Sequence, residues 1–214
     1  VGDRVGVMIK GGNATYALLL TAAASDTLNG IAGGTEWSRV FISGEIVIMR
    51  CVAANATWVV DHDGRIPQQV LMRLSTSTTG NEAVSTWTSP TSISGAWTAD
   101  IDNASLASTS NNRFAVRRAG NYSLSAGARA VNAQADGELF GVVLWKNGTS
   151  TLIGTNQGRT GATSSFWYAT WAIPLTPLAA GDTVNYQFQS SAGSRNLFAS
   201  GYNSYFAGLE VLSP

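Results

Sequence analysis

The sequence predicts an all-β protein. It divides into a small N-terminal β module (residues 1–66), a short helix with a Ser/Thr-rich linker (67–92), and a C-terminal β-sandwich of jelly-roll type (93–214). Three observations predict this. Apolar residues alternate with polar ones along most of the chain, the period of a half-buried strand. Turn signals built from Gly, Asn, Asp and Ser punctuate the second half roughly every ten residues, the spacing of sandwiches and barrels. Outside one short segment, nothing has the spacing of an amphipathic helix.

The elements follow in order. Val5, Val7 and Ile9 alternate with Arg4, Gly6, Met8 and Lys10 and run into the turn Gly11-Gly12-Asn13. Tyr16 to Leu20 is a more apolar strand, and Asp26 to Gly34 is turn-rich and contains Leu28-Asn29-Gly30. Val40 to Ile42, a Ser43-Gly44 turn, Ile46 to Val52 and Trp58 to Val60 complete the first module. Ile66 to Leu74 (IPQQVLMRL) is read as the short helix, with Pro67 in its first turn, where a missing N–H costs nothing. Residues 75–92 are dominated by Ser and Thr and read as a linker. Beyond them come Phe114 to Val116, Tyr122 to Ala128 and Leu139 to Trp145 with its hairpin turn Lys146-Asn147-Gly148. Phe166 to Pro174, Thr183 to Phe188 and Tyr205 to Leu212 close the series.

Composition excludes several classes. Lys+Arg and Asp+Glu are 13 each, so there is no basic excess for neutralising phosphates and no nucleic-acid partner is expected. Charged residues make up 12% against about 25% in an ordinary domain, while apolar residues are 44%. Such a chain folds, and its low-charge surface suits burial against sister chains. One cysteine, Cys51, rules out an intrachain disulfide framework and reads as a buried apolar thiol in EIVIMRCV. No apolar run approaches the ~18 residues of a membrane span, and no signal peptide is evident. The chain opens on Val1 rather than Met, so a fragment or processed product is expected. Five Asn-X-Ser/Thr sequons begin at Asn13, Asn55, Asn103, Asn121 and Asn147. With 14 Asn and 44 Ser or Thr among 214 residues, this is only a mild excess over chance.

Residues 112–212 resemble the jelly roll shared by the complement globular heads and the tumour necrosis factor ligands. RFAVRRAGNYSLSA, LFGVVLWKNG, IPLTPLAAGDTVNYQF and SYFAGLEVL match that family's elements in the family's order. The resemblance implies core aromatics at Phe114, Tyr122 and Phe206, backbone turns at Gly120 and Gly181, and assembly as a homotrimer. Residues 1–60 resemble the small β modules of bacteriophage tail fibres and tailspikes through ALLLTAAASDTLNG, RVFISGEIVIMRCV and ATWVV. The combination implies the distal region of a phage receptor-binding fibre, found on the extracellular virion. Its partners would be a bacterial surface glycan or protein and, through the missing upstream chain, other virion proteins. No membrane insertion is implied.

Chemistry leaves few candidates. There is no nucleophile elbow, phosphate-binding loop or metalloprotease motif, so no catalytic residue, metal ligand or cofactor is expected. Asp61-His62-Asp63-Gly64 contains the lone His and reads as a polar turn between modules. Asp100 with Asp102, and Asp136 with Glu138, read as strand-end or loop carboxylates rather than a glycosidase pair. Sugar recognition needs aromatic faces and planar polar groups. The clusters with that character are Phe166, Trp167 and Tyr168 beside a loop holding Asn156, Gln157 and Arg159, and Arg195, Asn196 and Tyr202 in a Gly/Ser-rich loop. The expectation is a non-enzymatic trimeric fibre tip that binds a bacterial receptor. The alternatives are a structural fibre or decoration module, a capsular polysaccharide depolymerase or esterase, and a secreted complement-like ligand.

Overall fold

The computed structural model describes residues 2–8, 18–23, 25–40, 42–53, 57–75, 78–80, 97–130, 137–148, 151–159, 167–191, 195–199 and 204–212. Among them are nineteen strands and a single 3-10 turn at Thr109–Asn111. The first seven strands belong to the N-terminal module: β1 (Arg4–Met8), β2 (Leu18–Thr21), β3 (Thr27–Leu28), β4 (Ile31–Ala32), β5 (Glu36–Val40), β6 (Ile46–Ala53) and β7 (Thr57–Gly64). Five of them form a sheet in the order β1-β6-β7-β3-β4, and β2 pairs with β5. Leu20, Leu28, Val40 and Val47 are the module's core, with Trp37, Met49 and Trp58 packed against them. The turn Asn29-Gly30 between β3 and β4 has positive φ at both residues (48° and 78°), as the sequence signal predicts. The tightest approach in the module is at Gly33, where a Cβ would lie 1.7 Å from the Ala23 carbonyl oxygen.

Twelve further strands build the head. They are β8 (Gln69–Leu74), β9 (Thr78–Gly80), β10 (Trp97–Asp102), β11 (Ala107–Ser108), β12 (Arg113–Ala115) and β13 (Gly120–Ala130). There follow β14 (Leu139–Lys146), β15 (Thr151–Arg159), β16 (Trp167–Leu178), β17 (Thr183–Ser190), β18 (Arg195–Leu197) and β19 (Tyr205–Val211). A seven-stranded sheet runs β10-β8-β19-β13-β18-β9, with β16 on the other edge of β13; a five-stranded sheet runs β11-β12-β17-β14-β15. Between them lies one core, rich in aromatic residues. Phe114, Tyr122 and Phe206 are buried in it as expected, with Tyr186 stacked on Phe206 at 5.4 Å and Trp97 edge-on to both Tyr186 and Phe206.

Several expectations are corrected. The helix expected at Ile66 to Leu74 is strand β8. Ile66, Val70 and Leu74 have helical spacing, but Val70, Met72 and Leu74 alternate equally well. The tie is broken because β8 lies between β10 and β19, so both its edges are hydrogen-bonded. Segment 69–74 therefore belongs to the head's sheet. The Asp61-His62-Asp63-Gly64 turn is the end of strand β7. Gly181 is a turn glycine with φ of 92°, but Gly120 begins β13 and has no left-handed φ. Cys51 is only partly buried, and its Sγ donates to the Ala53 carbonyl at 3.3 Å.

The two β units are joined by a buried polar network. Arg118 is 1% exposed and ion-paired with both Glu45 of the N-terminal module and Glu210 of β19, the latter at 3.0 Å. Glu45 accepts the backbone N–H groups of Ile42 and Ile66, and Glu210 accepts that of Gln68. Tyr122 donates its hydroxyl proton to the Arg118 carbonyl and accepts from Gln68. Burial, followed by the nearby Glu210 charge, holds the Tyr122 hydroxyl far above the ordinary tyrosine range, so it stays protonated.

Candidate functional site

β13 organises the head along its length. Its eleven residues run from Gly120, beside the N-terminal module, to Ala130, a span of about 33 Å at strand rise. At the far end Ala130 pairs with Trp167 of β16 on one side and Leu197 of β18 on the other, and Arg129 pairs with Tyr168. The two expected recognition clusters therefore meet at the distal end of one sheet, two strand spacings or about 10 Å apart. Arg195 and Asn196 are not in a loop: they form β18 and pair with Gly80 and Thr79. Asn156, Gln157 and Arg159 are likewise strand residues, on β15, opposite Val142, Gly141 and Leu139. A Gly/Thr-rich run reads as a loop by composition, but here β14 pairs with it from Thr151 to Arg159 and makes it an edge strand. β15 ends at Arg159 and β16 begins at Trp167, so this cluster belongs to the other sheet at the same end of the sandwich. Phe166 and Tyr202 lie outside the described residues.

The carboxylates expected to be structural have structural partners. Asp100 pairs with Arg73 at 2.6 Å, and Asp102 accepts the Leu106 and Ala107 N–H groups at 2.6 and 3.1 Å. Asp61 pairs with Arg4 and Arg50, and Asp63 with Arg65. Glu138 is buried, and Asp136 lies outside the described residues. Among the described residues, no group of His, Cys, Asp and Glu could hold a metal ion.

The sequence reading missed a second surface, the outer face of the seven-stranded sheet. Pairing puts Ile101, Leu71, Ala207, Ser125 and Ala172 in one row across β10, β8, β19, β13 and β16. Leu209 and Val211 stand on the same face of β19, and Ile101, Leu209 and Val211 are each 40–44% exposed. The Tyr205 ring lies across Gly127, where a Cβ would come within 2.6 Å of it. Small and apolar side chains thus make a flat patch, with the Arg73–Asp100 pair at one corner. A signal was present: in YFAGLEV the outward phase, Tyr205, Ala207, Leu209 and Val211, is apolar throughout, where a solvated face would carry polar residues.

No protein-family model matches the sequence, and no curated protein matches it. Solved structures do. Murine APRIL matches with a TM-score of 0.50 at 11% identity, over 68% of this chain and all of that one. Eiger TNF from S. frugiperda matches with a TM-score of 0.52 at 13% identity, over 70% of this chain and 96% of that one. The globular domain of zebrafish complement 1qA protein aligns at 13% identity over 69% of this chain and 99% of that one, with a TM-score of 0.43. The chain has the tumour-necrosis-factor-type jelly roll, preceded by a small β module.

Proposed function

We propose that this chain is a non-enzymatic, homotrimeric receptor-binding module. The observation that carries the reading is the exposed apolar face of the seven-stranded sheet. An antiparallel sheet with a solvated outer face normally carries polar residues there, as β8 and β13 do with Gln69, Arg73, Ser123 and Ser125, but β19 turns Tyr205, Ala207, Leu209 and Val211 outward beside Leu71 and Ile101. A patch of Ile101, Leu71, Ala207, Leu209 and Val211 on a chain with 12% charged residues needs a cover. A closed ring of identical copies supplies one, as the likeness to tumour-necrosis-factor-type folds also suggests. The long axis of β13 then separates two ends. The N-terminal module lies at one, and the strand ends bearing Trp167, Tyr168, Arg195 and Asn196 lie at the other, where a receptor would be met.

More finely, we infer a bacteriophage tail-fibre tip on the virion that engages a bacterial surface glycan or protein. The support is the fibre-like pattern of residues 1–60 ahead of a jelly-roll head. Three copies of a weak site on one rigid tip would bind a repetitive surface by avidity. The test is light scattering on the isolated chain followed by a host-envelope pull-down. The reading expects about 67 kDa, three times the 22.4 kDa chain, and cell binding without release of sugar. A monomer overturns the assembly; a trimer that binds no cells overturns receptor recognition. A secreted ligand is the second reading, favoured by the animal origin of the matching structures. It expects binding to an animal cell-surface protein and none to bacterial envelopes.

A further inference from the structure

A cleft of about 320 Å³ lies where the two β units meet, at the opposite end of β13 from the expected recognition residues. Trp37, Ile31 and Val60 supply apolar wall, and Asn29, Asp63, Arg65 and Asn121 supply polar groups. Arg65 is held in place. Its Nε and Nη2 donate to the two carboxylate oxygens of Asp63 at 2.7 and 2.5 Å, and its Nη1 donates to Ser38 at 2.6 Å. Its guanidinium also stacks on the Trp37 ring at 4.6 Å. Three of its five N–H groups are thereby used, leaving two without a partner among the described residues. The Asn121 carboxamide also has no partner among them. Asn29 uses its oxygen to accept the Val60 N–H, which leaves its NH₂ available.

We propose that this cleft binds one neutral sugar unit. Charge decides the class. Asp63 is paired with Arg65, and Glu210 at the cleft wall is paired with Arg118, which it shares with Glu45. An anionic ligand would face the carboxylates of Asp63 and Glu210, and a cation would face the Arg65 guanidinium. A neutral polyol meets free amide and guanidinium donors, and amide and carboxylate acceptors. These are planar groups that pair with hydroxyls in fixed directions, beside an apolar wall for the ring's C–H face. Size narrows it further, since about 320 Å³ is near the lower limit of ligand pockets and suits one ring rather than an oligosaccharide. The site is independent of the distal recognition end.

The test is saturation-transfer NMR on the full chain. Glucose, galactose, mannose and N-acetylglucosamine are the neutral probes, with glucuronic acid and glucosamine as charged comparators. We expect saturable binding of at least one neutral sugar. It should weaken at least five-fold in both Asn121→Ala and Asn121→Val, the second chosen because a β-branched residue suits a strand, with melting temperature unchanged. Substituting Arg195 at the distal end should leave this binding as it is. The proposal is overturned if no neutral sugar binds, if a charged comparator binds as tightly, or if the folded Asn121 variants bind as the parent does.

Discussion

Replacing Arg118 with Met tests whether the buried network is the joint between the two β units. Arg118 is 1% exposed, and its partners Glu45 and Glu210 are 0% and 2% exposed by side chain. Methionine keeps much of the side-chain length but removes the only positive charge in that triad. Both carboxylates remain, fixed by the backbone N–H groups of Ile42, Ile66 and Gln68, and neither can turn to water without unpicking those bonds. Breaking a buried ion pair by removing one partner costs about 3–5 kcal/mol. For a chain of this size each kcal/mol moves the melting temperature by about 2–4 °C, so a drop of about 6–20 °C is expected. That is a large share of the roughly 5–15 kcal/mol that holds a typical protein folded. The assay is urea unfolding followed by circular dichroism and by tryptophan fluorescence, since Trp37 and Trp58 report the module and Trp97 the head core. Adding Glu45→Gln and Glu210→Gln to Arg118→Met should recover part of the loss, because the amides still accept hydrogen bonds but carry no charge. If Arg118→Met costs less than about 1 kcal/mol, the network is no joint and the argument fails.

The remaining predictions are briefer. Leu71→Asp or Leu209→Asp puts a charge in the middle of the apolar outer face and should lower the mass in light scattering from about 67 to about 22 kDa, with the β circular dichroism retained. Gly33→Ala places a Cβ 1.7 Å from a backbone oxygen that no side-chain rotation can relieve, and should destabilise by at least about 1–3 kcal/mol in thermal melts; an unchanged melt would contradict the close approach. Burial pushes Asp182 upward, but hydrogen bonds from Lys146, Asn147 and the Ala179 N–H outweigh it and hold the carboxyl below its ordinary 3.8. The stability that Asp182 contributes is therefore full above that value and disappears as pH falls below it. The gap between wild type and Asp182→Asn should close on acidification, and a gap that widens would refute the assignment.

Much of the fold was legible because strand chemistry is local. Alternation located β1, β6, β13 and β19, and Asn-Gly and Lys-Asn-Gly turns marked the β3–β4 and β14–β15 hairpins. The failures came where local signals tie or fall silent. Composition made a loop of 154–159, yet β14 accepts it as an edge strand. The distal grouping of Trp167 with Arg195 and Asn196 was half visible, since two clusters were named but nothing local says they flank the same residue, Ala130. The outer-face patch left a trace in the apolar outward phase of β19. The Arg118 network left none, because its charges lie 73 and 92 residues from their partners.

By itself, the sequence determined that this is an all-β chain with few charges and an aromatic sandwich core. Those properties follow from side-chain period and composition, which neighbouring residues settle among themselves. Only the tertiary structure decided that IPQQVLMRL is a strand, because two partner edges satisfy its backbone and a lone segment has none. The pairing of distant strands also decided which apolar side chains remain uncovered, and which carboxylates close on Arg118 to join the two halves.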